Sequence, residues 1–291
     1  TDRTQTAPTR ATAAQPVPPA GTPAPTPSFV SGGSDTLRIP GLDVSGDVRI
    51  REEFNFSDAD GRARTRTVLR TRLRASYKID NNFSVGAQLT TGDLDDPNST
   101  DITLGSFVDD LDVSLDQAWI KYQTGGLSAW AGKFPLPFQR TDMVWDGDVS
   151  PQGAGAIYSL PLGDGGAKLD ARAIYFVIDE ATAGPDSDMI GAQAVLAAPL
   201  GSALKLTLAG AYYSYGLKSV AGADLGDFRS NMIVGGRYLS DFRLVNGIAS
   251  LTWFGLGERW PLGVTGDYVH NRGAAVSADS GFNIELSAGR I

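Results

Sequence analysis

Between Arg64 and Ile79 the chain reads RTRTVLRTRLRASYKI, and that string leaves little freedom in what it can become. Arg64, Arg66, Arg70, Arg72, Arg74 and Lys78 share one parity, while Thr65, Thr67, Leu69, Thr71, Leu73, Ala75, Tyr77 and Ile79 share the other. A helix would scatter both sets around its axis, whereas an extended chain sends successive side chains to opposite faces. The segment therefore reads as a strand with one basic face and one largely apolar face. Guanidiniums in such a row cannot be buried without partners, so that face must meet water or counter-charges.

The same alternation precedes and follows it. Leu42, Val44, Val48, Ile50, Phe54 and Phe56 oppose Asp43, Ser45, Asp47, Arg49, Arg51, Glu53 and Asn55, with Glu52 a charge on the apolar side. Downstream, Ala118, Ile120 and Tyr122 oppose Gln117, Trp119 and Lys121, and Leu204, Leu206, Leu208 and Tyr212 oppose Lys205, Thr207 and Tyr213. Strands are expected near 42–56, 64–79, 83–89, 115–123, 127–134, 153–162, 167–178, 188–198, 203–216, 242–254 and 261–271, with a last one from Gly281. That makes about twelve, at a spacing of roughly twenty residues, which suits strands that cross a bilayer at a tilt. Segments 93–111 and 217–240 read mostly as loop, although MIVGGRYL in the second could form a short strand.

The connections carry as much information as the strands. Tight turns at 80–82, 124–126, 163–166 and 199–202 alternate with longer polar loops. The fold class expected from this is all-β, an antiparallel up-and-down transmembrane β-barrel with short turns at one rim and long loops at the other. A Greek-key sandwich would not require such alternation. The chain stops at SAGRI in mid-pattern, so the visible strands are expected to be the N-terminal part of a larger barrel.

Composition removes several alternatives. No run approaches the eighteen or so consecutive apolar residues of a spanning helix, and the mean hydropathy of -0.12 is low for a helical membrane protein. A barrel escapes that test because inward polar residues dilute its outward apolar ones. Cysteine is absent, which excludes disulfide scaffolds, thiolate metal sites and cysteine nucleophiles. The net charge of -8 argues against a nucleic-acid partner. Residues 1–40 are rich in Pro, Ala and Thr and lack anchors for a core, so they read as a flexible linker, followed by the barrel at 41–291.

Several blocks also carry a resemblance. LDQAWIKYQ (Leu115–Gln123) followed by GKFPLPFQRTDMVWDGD (Gly132–Asp148), with GDVRIREEF upstream and RWPLGVTGDYVHN downstream, resembles the putative porin family of Gram-negative outer-membrane β-barrels. It extends in ordered blocks from about Gly41 to the end of the chain. None of these blocks is a catalytic signature. The resemblance implies a barrel in the bacterial outer membrane more securely than it implies a solute, and places the linker in the periplasm.

On an aqueous lumen wall, Arg49, Arg51, Arg64, Arg66, Arg70, Arg72, Arg74 and Lys78 would form a ladder of fixed positive charge lining a pore. Asp93, Asp95, Asp96, Asp101, Asp109 and Asp110 would oppose it if their loop folds inward, making that segment the candidate constriction loop. The competing reading pairs the arginines with Asp43, Asp47 and Glu53 across the first hairpin, as wall structure. GDLDDPNSTD spaces its oxygens loosely like a calcium loop but lacks the glycine and glutamate such loops need, so no metal site is expected. His270 stands alone, and no nucleophile elbow, phosphate loop or dinucleotide fingerprint is present; neither catalytic residues nor a cofactor are expected.

The function expected is passive diffusion of small hydrophilic solutes, in contact with outer-membrane lipid and lipopolysaccharide. A homo-oligomer, trimeric by analogy with general porins, is also expected. An alternative is a structural barrel tied to a cell-wall or other periplasmic partner through the N-terminus. A third class, a soluble all-β binding protein, requires the apolar faces to be buried.

Overall fold

The computed structural model describes residues 39–56, 64–93, 96–105, 107–108, 110–220 and 231–289, so nearly all of the expected linker lies outside the described residues. The first strands are β1 (Leu42–Asn55), β2 (Arg64–Lys78), β3 (Phe83–Thr91), β4 (Ile102–Leu104), β5 (Val113–Thr124) and β6 (Leu127–Lys133). They are followed by β7 (Gln152–Leu162), β8 (Ala167–Asp179), β9 (Ser187–Leu200) and β10 (Leu204–Gly216). The last are β11 (Ile233–Val234), β12 (Arg237–Tyr238), β13 (Arg243–Trp253), β14 (Leu262–Asn271) and β15 (Ser280–Ala288).

Every long strand pairs antiparallel with the long strand next to it in sequence, giving the path β1-β2-β3-β5-β6-β7-β8-β9-β10-β13-β14-β15. This is the up-and-down topology read from the turns, with twelve strands on the path. β1 and β15 are its two edges and are not paired with each other. The small hairpin β11-β12 forms its own sheet at the MIVGGRYL segment. The acidic segment differs from expectation, because it is not all loop. β3 pairs with β2 only as far as Arg72, and β4 continues the ladder against Thr67–Leu69. Ile102-Thr103-Leu104 can do this because it repeats the apolar, polar, apolar spelling of its neighbours.

The tight turns rest on local chemistry. Gly125, Gly163 and Gly201 adopt φ of 50, 67 and 72 degrees, a region costly for residues with a Cβ. At the β2-β3 turn, the Asp80 carboxylate accepts the N–H groups of Phe83 and Asn82, each at 2.7 Å. Those two backbone donors, Phe83 first, hold its carboxyl below the usual aspartate value.

The two faces of the sheet separate by parity. The outer face exposes Val48, Ile50, Leu73, Leu89, Ile120, Leu208, Ile284 and Leu286, the last at 77% of its surface. Such a continuous apolar surface is unfavourable in water and matches hydrocarbon. Aromatics gather at its two rims: Tyr77, Phe83, Tyr122 and Trp253 towards the tight turns, Phe54, Tyr175, Tyr212, Tyr268 and Phe282 towards the loops. Trp253 lies opposite Leu204, so the step from Leu204 to Tyr212 on β10 measures the distance between girdles. At about 3.4 Å per residue and a tilt near 40 degrees, it corresponds to roughly 20 Å across the membrane, close to the apolar band of an outer-membrane barrel.

Candidate functional site: the inner face and the loop that crosses it

The register of β1 on β2 brings the arginines together. Asp47 sits opposite Arg72, Arg49 opposite Arg70, Glu53 opposite Arg66, and Ser45 opposite Arg74. Like charges this close would repel, and the structure offsets them with carboxylates. Asp47, with its side chain 3% exposed, accepts from Arg70 at 3.2 Å, Arg72 at 3.0 Å and Arg74 at 2.9 Å. Glu53 takes Arg66 and Arg51. Asp101, from the acidic segment, takes Arg49 at 2.7 Å and Arg51 at 2.9 Å. Arg64 and Lys78 lie exposed at the two ends of β2.

The acidic segment therefore reaches the arginine row through Asp101. Asp96 is occupied in a local turn, where it accepts the Asn98 N–H at 2.9 Å and donates its own N–H to the Asp93 carbonyl. Asp110 is exposed, and Asp95 and Asp109 lie outside the described residues. Of the carboxylates expected to pair across the first hairpin, Asp47 and Glu53 do so; Asp43 instead borders an adjacent crevice.

A different loop crosses the inner face. Residues 134–151, between β6 and β7, begin Phe134-Pro135-Leu136-Pro137-Phe138, and the two prolines cannot donate to a ladder, so the strand ends there. The Phe134 N–H donates to the Pro151 carbonyl at 3.0 Å and closes the base of the loop. Phe134 and Phe138 then occupy seats left by glycines. A Cβ on Gly155 would meet the Phe134 ring at 2.8 Å, and one on Gly191 would meet Tyr213 at 2.9 Å and Phe138 at 3.1 Å. With Trp145, Ile174, Met189, Ala211 and Tyr213, these rings make the main buried cluster of the described residues. Burying each large side chain contributes about 1.5–3 kcal/mol.

Polar contacts fix the direction of the loop. The Gln139 N–H donates to Gln193 Oε1 and Gln193 Nε2 donates back to the Gln139 carbonyl, both at 2.7 Å. Arg172 Nη1 donates to the Pro137 carbonyl at 2.9 Å. Thr141 donates its hydroxyl to Asp267 on β14. On the opposite side, Asp148 accepts from Arg72 at 3.4 Å and from the Thr100 hydroxyl at 3.0 Å. Ser150 donates to Asp116 at 3.0 Å and accepts from Gln117 at 3.0 Å. Both partners face inward because Asp116 is the extra residue of a bulge between the Gln88-Gln117 and Leu89-Leu115 pairs.

These contacts also measure the curvature of the sheet. From β2 to β14 the path has nine inter-strand steps, roughly 43 Å if flat at about 4.8 Å each. Seven residue steps from Thr141 to Asp148 reach at most roughly 25 Å. One loop touches Asp267 and Arg72 only because the sheet curls around it.

Between the arginine wall and the loop is a crevice of about 440 Å³. Beyond it, Arg140 pairs with Asp142 at 2.9 Å, and Asp146 accepts the Asp148 N–H at 2.8 Å. Asp146 is exposed, yet the protein around it partly desolvates its carboxyl, and Asp148 and Asp142 add repulsion. Its carboxyl is consequently raised above the ordinary aspartate value. His270 lies at the loop end of β14 beside Ser280, Nδ1 to Oγ 2.9 Å. Among the described residues, no group of three or more His, Cys, Asp or Glu side chains is arranged to hold a metal ion.

That this loop crosses the inner face is only faintly written in its sequence. The usable signal is two large apolar side chains spaced by prolines at the start of the connection, with glycines at inward positions of β7 and β9.

No curated protein matches the chain. Among solved structures, a loop L8 deletion mutant of OmpT, an outer membrane protein of Vibrio cholerae, aligns at 11% identity over 84% of this chain and 87% of that one, with a TM-score of 0.42. The outer membrane channel DcaP of Acinetobacter baumannii aligns at 12% identity over 85% and 92%, with a TM-score of 0.37. The family described as putative porin matches residues 52–225, well over half of the 291 residues. The chain thus belongs to the putative porin family, channel-forming β-barrels of the bacterial outer membrane.

Proposed function

We propose that the protein is a passive diffusion channel for small hydrophilic solutes, selecting by pore width and by the charge of its inner wall. The observation that carries this reading is the division of one sheet into an apolar, doubly girdled outer face and a charged inner face crossed by loop 134–151. Hydrocarbon against the first and water against the second satisfies both. Arg49, Arg51, Arg64, Arg66, Arg70, Arg72, Arg74 and Lys78 line the solute path on this reading, and loop 134–151 narrows it. Solute passage needs no bond-making step, so no catalytic residue is assigned.

The outward face contacts outer-membrane lipid and lipopolysaccharide, and its apolar surface can also meet further copies in a homo-oligomer. The short turns face the periplasm, by the usual asymmetry of such barrels. Gly41 lies beside the β2-β3 turn, its carbonyl accepting the Lys78 N–H at 2.8 Å. Residues 1–40 would then enter the periplasm as a linker, which favours a second reading: a structural barrel anchored to the cell wall through its N-terminus.

Planar-bilayer recording of the full-length protein separates the two. Stable ohmic current steps are expected of the channel. Silence from folded, reconstituted protein would leave the anchor.

A further inference from the structure

On the reading of the inner wall as a solute path, we propose that the crevice between β2, β3, β5 and loop 134–151 is a binding subsite for a small carboxylate that carries a flat apolar body. The register builds it as a grid. One row places Ser45, Arg74, Gln88 and Gln117 side by side across four strands, and the next row places Ser76, Gly86 and Trp119 side by side. The lower row has a flat floor because Gly86 has no side chain: a Cβ there would lie 2.2 Å from the Trp119 ring, so the indole lies across the glycine. Leu136 from the loop adds a second apolar surface to the same crevice.

The upper row supplies the charge. Arg72, Arg74 and Arg140 border the crevice against Asp43 and Asp148. Of the two acids, Asp148 is the one already held by partners. Both Asp148 oxygens are engaged, Oδ1 by Arg72 and Oδ2 by Thr100, whereas Arg74 engages Asp47 through Nη1 and keeps 37% of its side chain exposed. Arg74 and Arg140 thus bring two guanidiniums to the crevice, each bound through Nη1 alone, against the single open carboxylate of Asp43, and an incoming carboxylate is the group that reaches their remaining N–H donors. At about 440 Å³ the space is within the range of small-molecule sites. A guanidinium beside an indole face selects for a ligand with an anionic end and a flat end, and against one having only either.

Benzoate, acetate and benzyl alcohol separate these contributions when each is added to one side of the full-length channel in a planar bilayer. Benzoate should interrupt the open-channel current with the longest dwell time. Trp119→Leu should shorten the benzoate dwell by about tenfold and leave acetate unchanged. Arg74→Gln should shorten the dwell of both anions and leave benzyl alcohol unchanged. A conducting wild type that passes benzoate no more slowly than acetate overturns the subsite and leaves the channel intact. A silent protein overturns the channel reading, and benzoate titrated into the folded, detergent-solubilised protein then decides the subsite. Binding weakened by either substitution supports it, and no binding overturns it.

Discussion

Thr141 and Asp267 stand 126 residues apart in sequence and share a buried hydrogen bond, the hydroxyl of the crossing loop donating to a carboxylate on β14. Asn246 Nδ2 donates to the same carboxylate at 2.5 Å, so the acid is held by two neutral donors rather than by a cation. Thr141→Val removes one donor and keeps the shape. Loop docking should weaken by about 1–3 kcal/mol, seen as faster proteolysis within 134–151 while the far-ultraviolet circular dichroism stays that of the intact sheet.

The aromatic seat gives a test from both sides. Phe138→Ala empties it and should cost about 3–5 kcal/mol of docking. Gly191→Val fills it from the wall, pressing on Tyr213, Ile174 and Phe138. Both substitutions should raise single-channel conductance and current noise, since a detached loop no longer narrows the path. Unchanged conductance in both would show that the loop does not restrict flow.

Asp47 is the shared acceptor of three guanidiniums. Asp47→Asn leaves Arg70 and Arg72 only their longer contacts with Asp148 and Arg74 no carboxylate, and should destabilise the barrel by about 3–5 kcal/mol, read as a lower temperature for loss of the folded, detergent-resistant form. Adding Arg72→Gln should recover part of the loss, because the excess charge falls.

Replacing Arg70, Arg72 and Arg74 together with Ser should move the reversal potential in a salt gradient towards cations, and Asp148→Asn should move it towards anions. Equal reversal potentials in all three proteins would place these groups away from the permeant ions.

Lowering the pH should relieve a cost at Asp146. A carboxyl raised above its unfolded value costs stability while ionised, so the cost is present above the folded value and disappears as pH falls through it. The wild type should gain thermal stability as pH falls from that raised value towards 3.8, the ordinary aspartate value, and Asp146→Asn should lack this gain. Solvent screening keeps the gain small, because the residue is exposed.

The spelling of the chain determined the strands, their number on the path, the parity of the arginines and the alternation of turns with loops. Each is a short-range property: an extended backbone presents every second residue to the same side, and a two-residue connection permits only an antiparallel neighbour. Where Asp148 would meet Arg72, 76 residues away, was not written locally. Nor was the path of loop 134–151 across the inner face. Phe134 and Phe138 find their seats because Gly155 and Gly191 leave room on strands that come later in the chain, and Thr141 reaches Asp267 because the sheet curls. The tertiary structure decided these contacts because they depend on distances across a curved sheet, which no run of consecutive residues encodes.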